Sequence, residues 1–219
     1  MQSLIFDLDE TLIDRTETMR LFLTNQYLRF ANFIKATKED YIKSVLHHQK
    51  NGYENKHTAY KLACAQLIIN EQIADDLFTD FKDKYGYEAI LFTGVKEVLE
   101  RLSKNFTLGL VTNGRAKCQN AKIDFVGIRP FFKSIKISES FGVKKPDQRI
   151  FESCLAELGC DPSNCVCIGD NPINDLLPAK DIGMKTIWVM NDNFDASDTY
   201  DEAIESVKFI EAALKKLTP

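Results

Sequence analysis

Asp7 and Asp9 stand one residue apart at the end of a short apolar run, Gln2 to Asp7, that reads as a strand. Three more polar groups follow apolar runs later in the chain: Thr112-Asn113-Gly114, Lys145-Pro146-Asp147, and Gly169-Asp170-Asn171 with Asp175 beyond it. In an open parallel sheet the carboxyl ends of the strands line one crevice where ligands bind, so four such groups at one edge make a site. Two carboxylates one residue apart, beside a third from another strand, repel strongly unless a cation neutralises them. Oxygen ligands in a small, partly hydrated site suit magnesium. Asp7 can then attack phosphorus as a nucleophile, splitting hydrolysis into two easier steps. Asp9 is close enough to protonate the leaving oxygen and later to deprotonate the attacking water. Charge on the phosphoryl oxygens needs fixed donors and cations, which the Thr112 hydroxyl, the backbone amides around Asn113 and Gly114, the Lys145 ammonium and the metal supply.

The elements that must position these residues fall into three stretches. The strand Gln2 to Asp7 comes first. Residues 15–88 contain helical patterns only, marked by Leu21 to Phe30, Tyr41 to Leu46, Tyr60 to Leu67 and Ile73 to Phe81, which predict a small four-helix bundle. From about residue 92 strand and helix alternate. The expected helices are Gly94–Leu102, a stretch after Asn113 to Val126, Asp147–Leu158, Asn174–Ile182 and Ile204–Leu214; the strands are Thr107–Val111, Ser134–Ile137, Cys165–Ile168 and Thr186–Val189. Such alternation predicts an α/β fold, a Rossmann-like parallel sheet with helices on both faces. The expected catalytic core is residues 1–14 and 89–219, with 15–88 inserted as a helical domain.

Phe6-Asp7-Leu8-Asp9-Glu10-Thr11-Leu12 resembles the first motif of the haloacid dehalogenase superfamily, D-x-D-x-T. Thr112-Asn113-Gly114 resembles the second motif, Lys145-Pro146-Asp147 the third, and Gly169-Asp170-Asn171-Pro172-Ile173-Asn174-Asp175 the fourth. The order and spacing match over nearly the whole chain, and the insertion falls where that family carries its helical cap. The resemblance implies a magnesium-dependent phosphatase acting through an aspartyl-phosphate on a small phosphorylated metabolite, such as a nucleotide or sugar phosphate. It implies Asp7 as nucleophile and metal ligand, and Asp9 as acid/base that also reaches the metal through its backbone carbonyl. Thr112 and Lys145 would bind the phosphoryl group, with Asn113 and Gly114 beside them; Asp170 would ligate magnesium and Asp175 support it from behind. Lys145 is preferred to Lys144 because it stands immediately before Pro146. A phosphomutase and a 2-haloacid dehalogenase are the alternatives within the superfamily. Dehalogenases need no metal and typically lack the second aspartate, so Asp9 and Asp170 count against that reading. A receiver-like signalling module, which also gathers acidic residues, magnesium, Thr and Lys, is shorter and lacks the insertion.

Composition narrows the setting. Of 219 residues 44% are hydrophobic and 27% charged, an ordinary globular balance, and a net charge of -4 disfavours nucleic acid as partner. No apolar run is long enough to span a bilayer, and Asp7 comes too soon for a signal peptide. The six cysteines form no C-x-x-C pair, so reduced thiols in the cytoplasm are expected, with Cys165 and Cys167 on opposite faces of their strand. The expected assembly is a monomer or weak dimer. Plainer readings accompany several residues: Asp175 as a helix cap, Asn113 as a turn residue, and the polar stretch Asn191–Asp201 as a solvated loop. His47, His48 and His57 are read as surface residues, Arg15 and Arg149 as solvated or ion-paired, and the helical aromatics Phe22, Tyr27, Phe30, Phe78 and Phe81 as core.

Overall fold

Ser3, Leu4, Ile5 and Phe6 are all buried, so strand β1 (Ser3–Phe6) is covered on both faces, as strands inside parallel sheets are. The structure is a computed structural model and describes residues 2–50, 54–194 and 199–217. After β1 the chain passes into a helical unit, Arg15–Ala89, and then completes a sheet unit made of Met1–Asp14 and Ile90–Pro219. On the sheet side the two crossings are clipped together: Asp14 donates its amide to Ile90 and Phe92 donates to Leu12.

The helical unit consists of α1 (Arg15–Arg29), α2 (Lys38–Gln49), α3 (Lys56–Gln66) and α4 (Gln72–Lys84). Thr37 caps α2 by accepting from the Asp40 amide, and Asn55 caps α3 by accepting from His57 and Thr58. Phe22, Tyr41, Tyr60, Leu77 and Phe81 fill its core; Phe78 is half-buried, stacked on His57. Through that core runs a polar network. Fully buried Gln26 accepts from the hydroxyls of Tyr41 (2.7 Å) and Tyr60 (2.8 Å) and donates to the Leu77 carbonyl (2.9 Å) and to Asp80 (3.0 Å), which uses its whole hydrogen-bonding capacity. Arg29 grips Asp80 with two nitrogens and Lys84 adds a third cationic contact at 2.9 Å. Burial pushes the Asp80 carboxyl up, but these bonds outweigh it and hold the group below the usual carboxylate range. Asp80→Ala is therefore expected to cost about 3 kcal/mol at pH 7, because Arg29 and Gln26 lose a buried partner. A depressed pKa stabilises the fold above the unfolded-state value, so in the wild type this contribution should fade as pH falls below about 4. Urea titrations of both proteins at pH 7 and pH 3 test this: the gap between them should close at the lower pH.

In the sheet unit α5 (Val95–Leu102), β2 (Thr107–Thr112), α6 (Ala116–Phe125), β3 (Phe132–Ile137), α7 (Ser138–Phe141) and α8 (Arg149–Leu158) follow. Then come β4 (Cys165–Gly169), a wide π turn over Pro172–Leu176 leading into α9 (Leu177–Asp181), β5 (Lys185–Val189), β6 (Glu202–Ile204) and α10 (Ile210–Leu217). Among the described residues the strands form one parallel sheet in the order β3-β2-β1-β4-β5-β6. The chain winds one way from β1 and the other way from β4, so the topological switch point lies between those two strands. Gly109 on β2 lets α8 approach: a Cβ there would lie 2.7 Å from the Cys154 sulfur.

Four details depart from expectation. Strand β6 is additional, and Ile204, expected to open the last helix, ends it; three residues are too few to show alternation. Ser138–Phe141 forms a short helix where no element is expected. The helix expected over Asn174–Ile182 is a π turn plus a short α9, with Pro178 lacking an amide to bond. Cys165 and Cys167 share one apolar cluster with Cys154 instead of facing apart, since side-chain direction repeats every second residue along a strand. All six cysteines are unbridged thiols. No helix of the described residues is long and apolar enough to cross a membrane.

Candidate active site

The strand order sets Thr112, Asp7 and Asp170 side by side, because β2, β1 and β4 are neighbours and each residue closes or follows its strand. Asp7 continues the ladder by donating its amide to Ile168, which fixes its backbone before the chain turns at Glu10, a left-handed residue (φ 61°). Lys145 enters from the loop after α7. Its ammonium lies 2.5 Å from Asp7, 2.6 Å from Asp175 and 3.0 Å from the Val111 carbonyl, and only 4% of its surface is exposed. Lys144 is exposed, so the choice between the two lysines falls on Lys145 by geometry as well as by its place before Pro146.

Oxygens of Asp7, Asp170 and Asp175 lie within 4.8 Å of one another, all on buried or nearly buried residues. Burial pushes the Asp7 carboxyl up to about 7; the Lys145 ammonium opposes this and the Asp175 charge adds to it. For Lys145 burial works against the charge, but Asp175 and Asp7 outweigh it and raise its pKa. The Lys145 ammonium pairs with two of the three carboxylates, Asp7 and Asp175. An all-oxygen donor set of three carboxylates fits a hard divalent cation such as magnesium.

Asp175 sits in this cluster as directly as Asp170 does. It is 2% exposed and accepts from the amide of Asn171 (3.1 Å), the residue that caps the Pro172–Leu176 turn, so it serves the start of that turn as well as the cluster. Gly169 makes the placement possible, since a Cβ there would lie 2.6 Å from both Cβ and Oδ2 of Asp175. Gly169→Ala is expected to displace Asp175 and so to weaken any divalent-cation binding at this cluster about 10–100-fold, measurable by isothermal titration with magnesium. Asp170 is oriented by two residues the sequence reading did not single out. The Trp188 indole donates to its carbonyl (2.9 Å), and Asn191 donates to both its carbonyl (3.2 Å) and its carboxylate (3.1 Å). Asn191 opens the stretch read as a solvated loop; residues 195–198 of that stretch lie outside the described residues.

The second motif is arranged differently from expectation. The Asn113 side chain donates to the Lys145 carbonyl (3.0 Å) and accepts from the Lys145 amide (2.8 Å), so it brackets that lysine's backbone. The Gly114 amide donates to Ser138 Oγ. Thr112 Oγ1 accepts from Gln119 (2.7 Å), whose side chain also donates to Asp9 (3.0 Å). The Asp9 carboxylate is not one of the three that cluster and pairs with Lys122 at 2.7 Å. Gln119, Lys122 and Ile123 form the buried stripe of α6, a position that is normally apolar; two polar residues on it were the signal available in the sequence. Of the residues read as surface, Arg149 pairs with half-buried Asp147, His57 with Asp75, and His48 with Gln66.

Residues 4–189 match the family model described as haloacid dehalogenase-like hydrolase. The glyceraldehyde 3-phosphate phosphatase of Pyrococcus abyssi is 29% identical, over 84% of this chain and 79% of its own length. Among solved structures, the HAD-hydrolase YfnB of Bacillus subtilis, bound to magnesium, has TM-score 0.77 at 20% identity over 97% of this chain and 98% of that one. The 2-haloacid dehalogenase of Pseudomonas syringae pv. Tomato has TM-score 0.66 at 25% identity over 100% of each. Because the family match takes in all four strand-end groups, from Asp7 to Asp175, this chain belongs to the haloacid dehalogenase-like hydrolases.

Proposed function

We propose that this hydrolase is a magnesium-dependent phosphoric monoester hydrolase acting on a small phosphorylated metabolite through an aspartyl-phosphate. The observation that carries the reading is the cluster of Asp7, Asp170 and Asp175, with the Lys145 ammonium paired to Asp7 and Asp175. Bound magnesium would supply charge neutralisation for these carboxylates and for the phosphoryl oxygens. Asp7 and Asp170 would hold it, with Asp175 beside them and the Asp9 backbone carbonyl as a further oxygen.

The chain's own residues then account for both steps. Lys145 and Thr112 bind phosphoryl oxygens and turn phosphorus toward Asp7. An Asp7 oxygen forms a bond to phosphorus as the ester P–O bond breaks, and the proton of Asp9 passes to the leaving oxygen, releasing the alcohol. Asp9, now a carboxylate, takes a proton from water as that water attacks phosphorus. The bond to Asp7 breaks, inorganic phosphate leaves, and Asp7 is restored. Substrate choice would rest with the inserted residues 15–88, where the family carries its cap.

The test is phosphate release by the purified protein from glyceraldehyde 3-phosphate, nucleoside monophosphates, sugar phosphates and 4-nitrophenyl phosphate. Release is expected with magnesium, and excess EDTA should lower it at least about 100-fold. Activity that survives EDTA, together with halide release from a 2-haloacid, would replace this reading with a dehalogenase.

A further inference from the structure

Lys122 is a lysine with only 2% of its surface exposed, and its ammonium lies 2.7 Å and 3.0 Å from the two oxygens of Asp9. Gln119, one turn earlier and equally buried, uses one amide nitrogen to reach Asp9 (3.0 Å), Thr112 Oγ1 (2.7 Å) and the Asn113 carbonyl (3.3 Å). Room for it comes from Gly114, where a Cβ would lie 2.9 Å from Gln119 Cγ. Burying an ammonium is costly without a paired anion, and an ion pair of this kind adds little net stability over an apolar pair of equal size. Fold stability is thus a poor reason for a lysine here.

We propose that Lys122 and Gln119 are positioning residues for Asp9, and that Gln119 ties the Asp9 carboxylate to the phosphoryl-binding hydroxyl of Thr112. This rests on the phosphatase reading above and deepens it. When the Asp7–phosphorus bond forms, the ester P–O bond breaks and the electron pair moves to the leaving oxygen. Asp9 gives that oxygen the proton it took from water at the end of the previous turnover, and the charge left on Asp9 restores its ion pair with Lys122. The Lys122 ammonium sits where it stabilises that charge and fixes the direction of the carboxyl group. Gln119 holds the same carboxyl at a set distance from Thr112, so that the proton donor and one phosphoryl contact move as a unit.

Leaving-group dependence separates this role from a general structural one. In the full-length enzyme with magnesium, kcat/KM is measured for esters of 2,4-dinitrophenol, 4-nitrophenol, phenol and glycerol. Lys122→Met and Gln119→Met are each expected to lose about 10–100-fold on glycerol phosphate and under about 3-fold on 2,4-dinitrophenyl phosphate, whose phenoxide departs without a proton. Lys122→Arg should recover most of the loss. Adding Lys122→Met to Asp9→Asn should cost no more than about 2-fold further, because the lysine acts through a group already removed. If Lys122→Met does not fold, the uncharged change Gln119→Met carries the same series. A loss equal across all leaving groups, or a full further loss in the Asp9→Asn background, overturns the proposal. A wild-type enzyme that hydrolyses none of these esters overturns the phosphatase reading and this role with it; a wild type that does, beside variants with uniform losses, overturns this role alone.

Discussion

Asp7→Asn is expected to lower turnover of phosphomonoesters by at least about 10⁴-fold while the protein remains folded. The amide keeps the shape of the side chain but has no lone pair basic enough to form the acyl phosphate, and no neighbour can take its place. Asp170 and Asp175 share the cluster, but each is committed elsewhere, Asp170 to Asn191 and Asp175 to Lys145 and the Asn171 amide. Acid-quenched wild-type enzyme given labelled substrate should carry the phosphoryl group on the peptide containing Asp7, and the variant should carry none. Residual turnover within about 10-fold of wild type, some three orders of magnitude short of the expected loss, would remove Asp7 from the nucleophile's place.

The same substitution should leave metal-free stability intact or improved near neutral pH. Burial pushes the Asp7 carboxyl up to about 7, so the fold holds its proton more tightly than the unfolded chain does. A group raised in this way stabilises fully below its unfolded value and loses that contribution as pH rises, here from about 4 to about 7. In EDTA the wild type should therefore lose stability across that window, and Asp7→Asn should lack that slope. Urea titrations at pH 5 and pH 8 read the difference directly.

Much of the site was legible because it lies where chain order and sheet geometry coincide. Asp7, Thr112 and Asp170 each follow an apolar strand, and a parallel sheet puts such positions on one edge whatever else the fold does. The four helices of residues 15–88 were legible from their apolar spacing. What escaped lies on surfaces that a linear pattern does not mark. Gln119 and Lys122 interrupt the inward stripe of α6 beside Ile123, a weak signal that reads as a solvated face until the helix is docked. Trp188 reads as core, and only the sheet shows its indole nitrogen meeting the Asp170 carbonyl. Gln26 and Asp80 look like a polar face of two helices, yet they meet in the middle of the unit across 54 residues of chain. Asp175 is expected behind a metal on resemblance alone; with no Cβ on Gly169 in its way, its carboxylate lies in one cluster with those of Asp7 and Asp170.

Lys145→Met should separate the two tasks of the ammonium. The lysine's backbone is bracketed by Asn113 and its charge is shared by two buried carboxylates, so methionine fits the channel but leaves Asp7 and Asp175 facing each other without a cation. Removing one member of a buried ionic group costs about 3–5 kcal/mol, and this loss is expected in EDTA. Turnover should fall about 10³-fold, since a fixed donor to the phosphoryl oxygens is lost. Added magnesium is expected to restore much of the stability, because a divalent cation can neutralise the carboxylates, and to restore little of the turnover, because it cannot stand where Lys145 meets the phosphoryl group. Denaturation midpoints with and without magnesium, set beside kcat on 4-nitrophenyl phosphate, measure both. If metal-free stability is unchanged in Lys145→Met, the three carboxylates do not depend on this ammonium, and the repulsion that argues for a bound cation disappears with it.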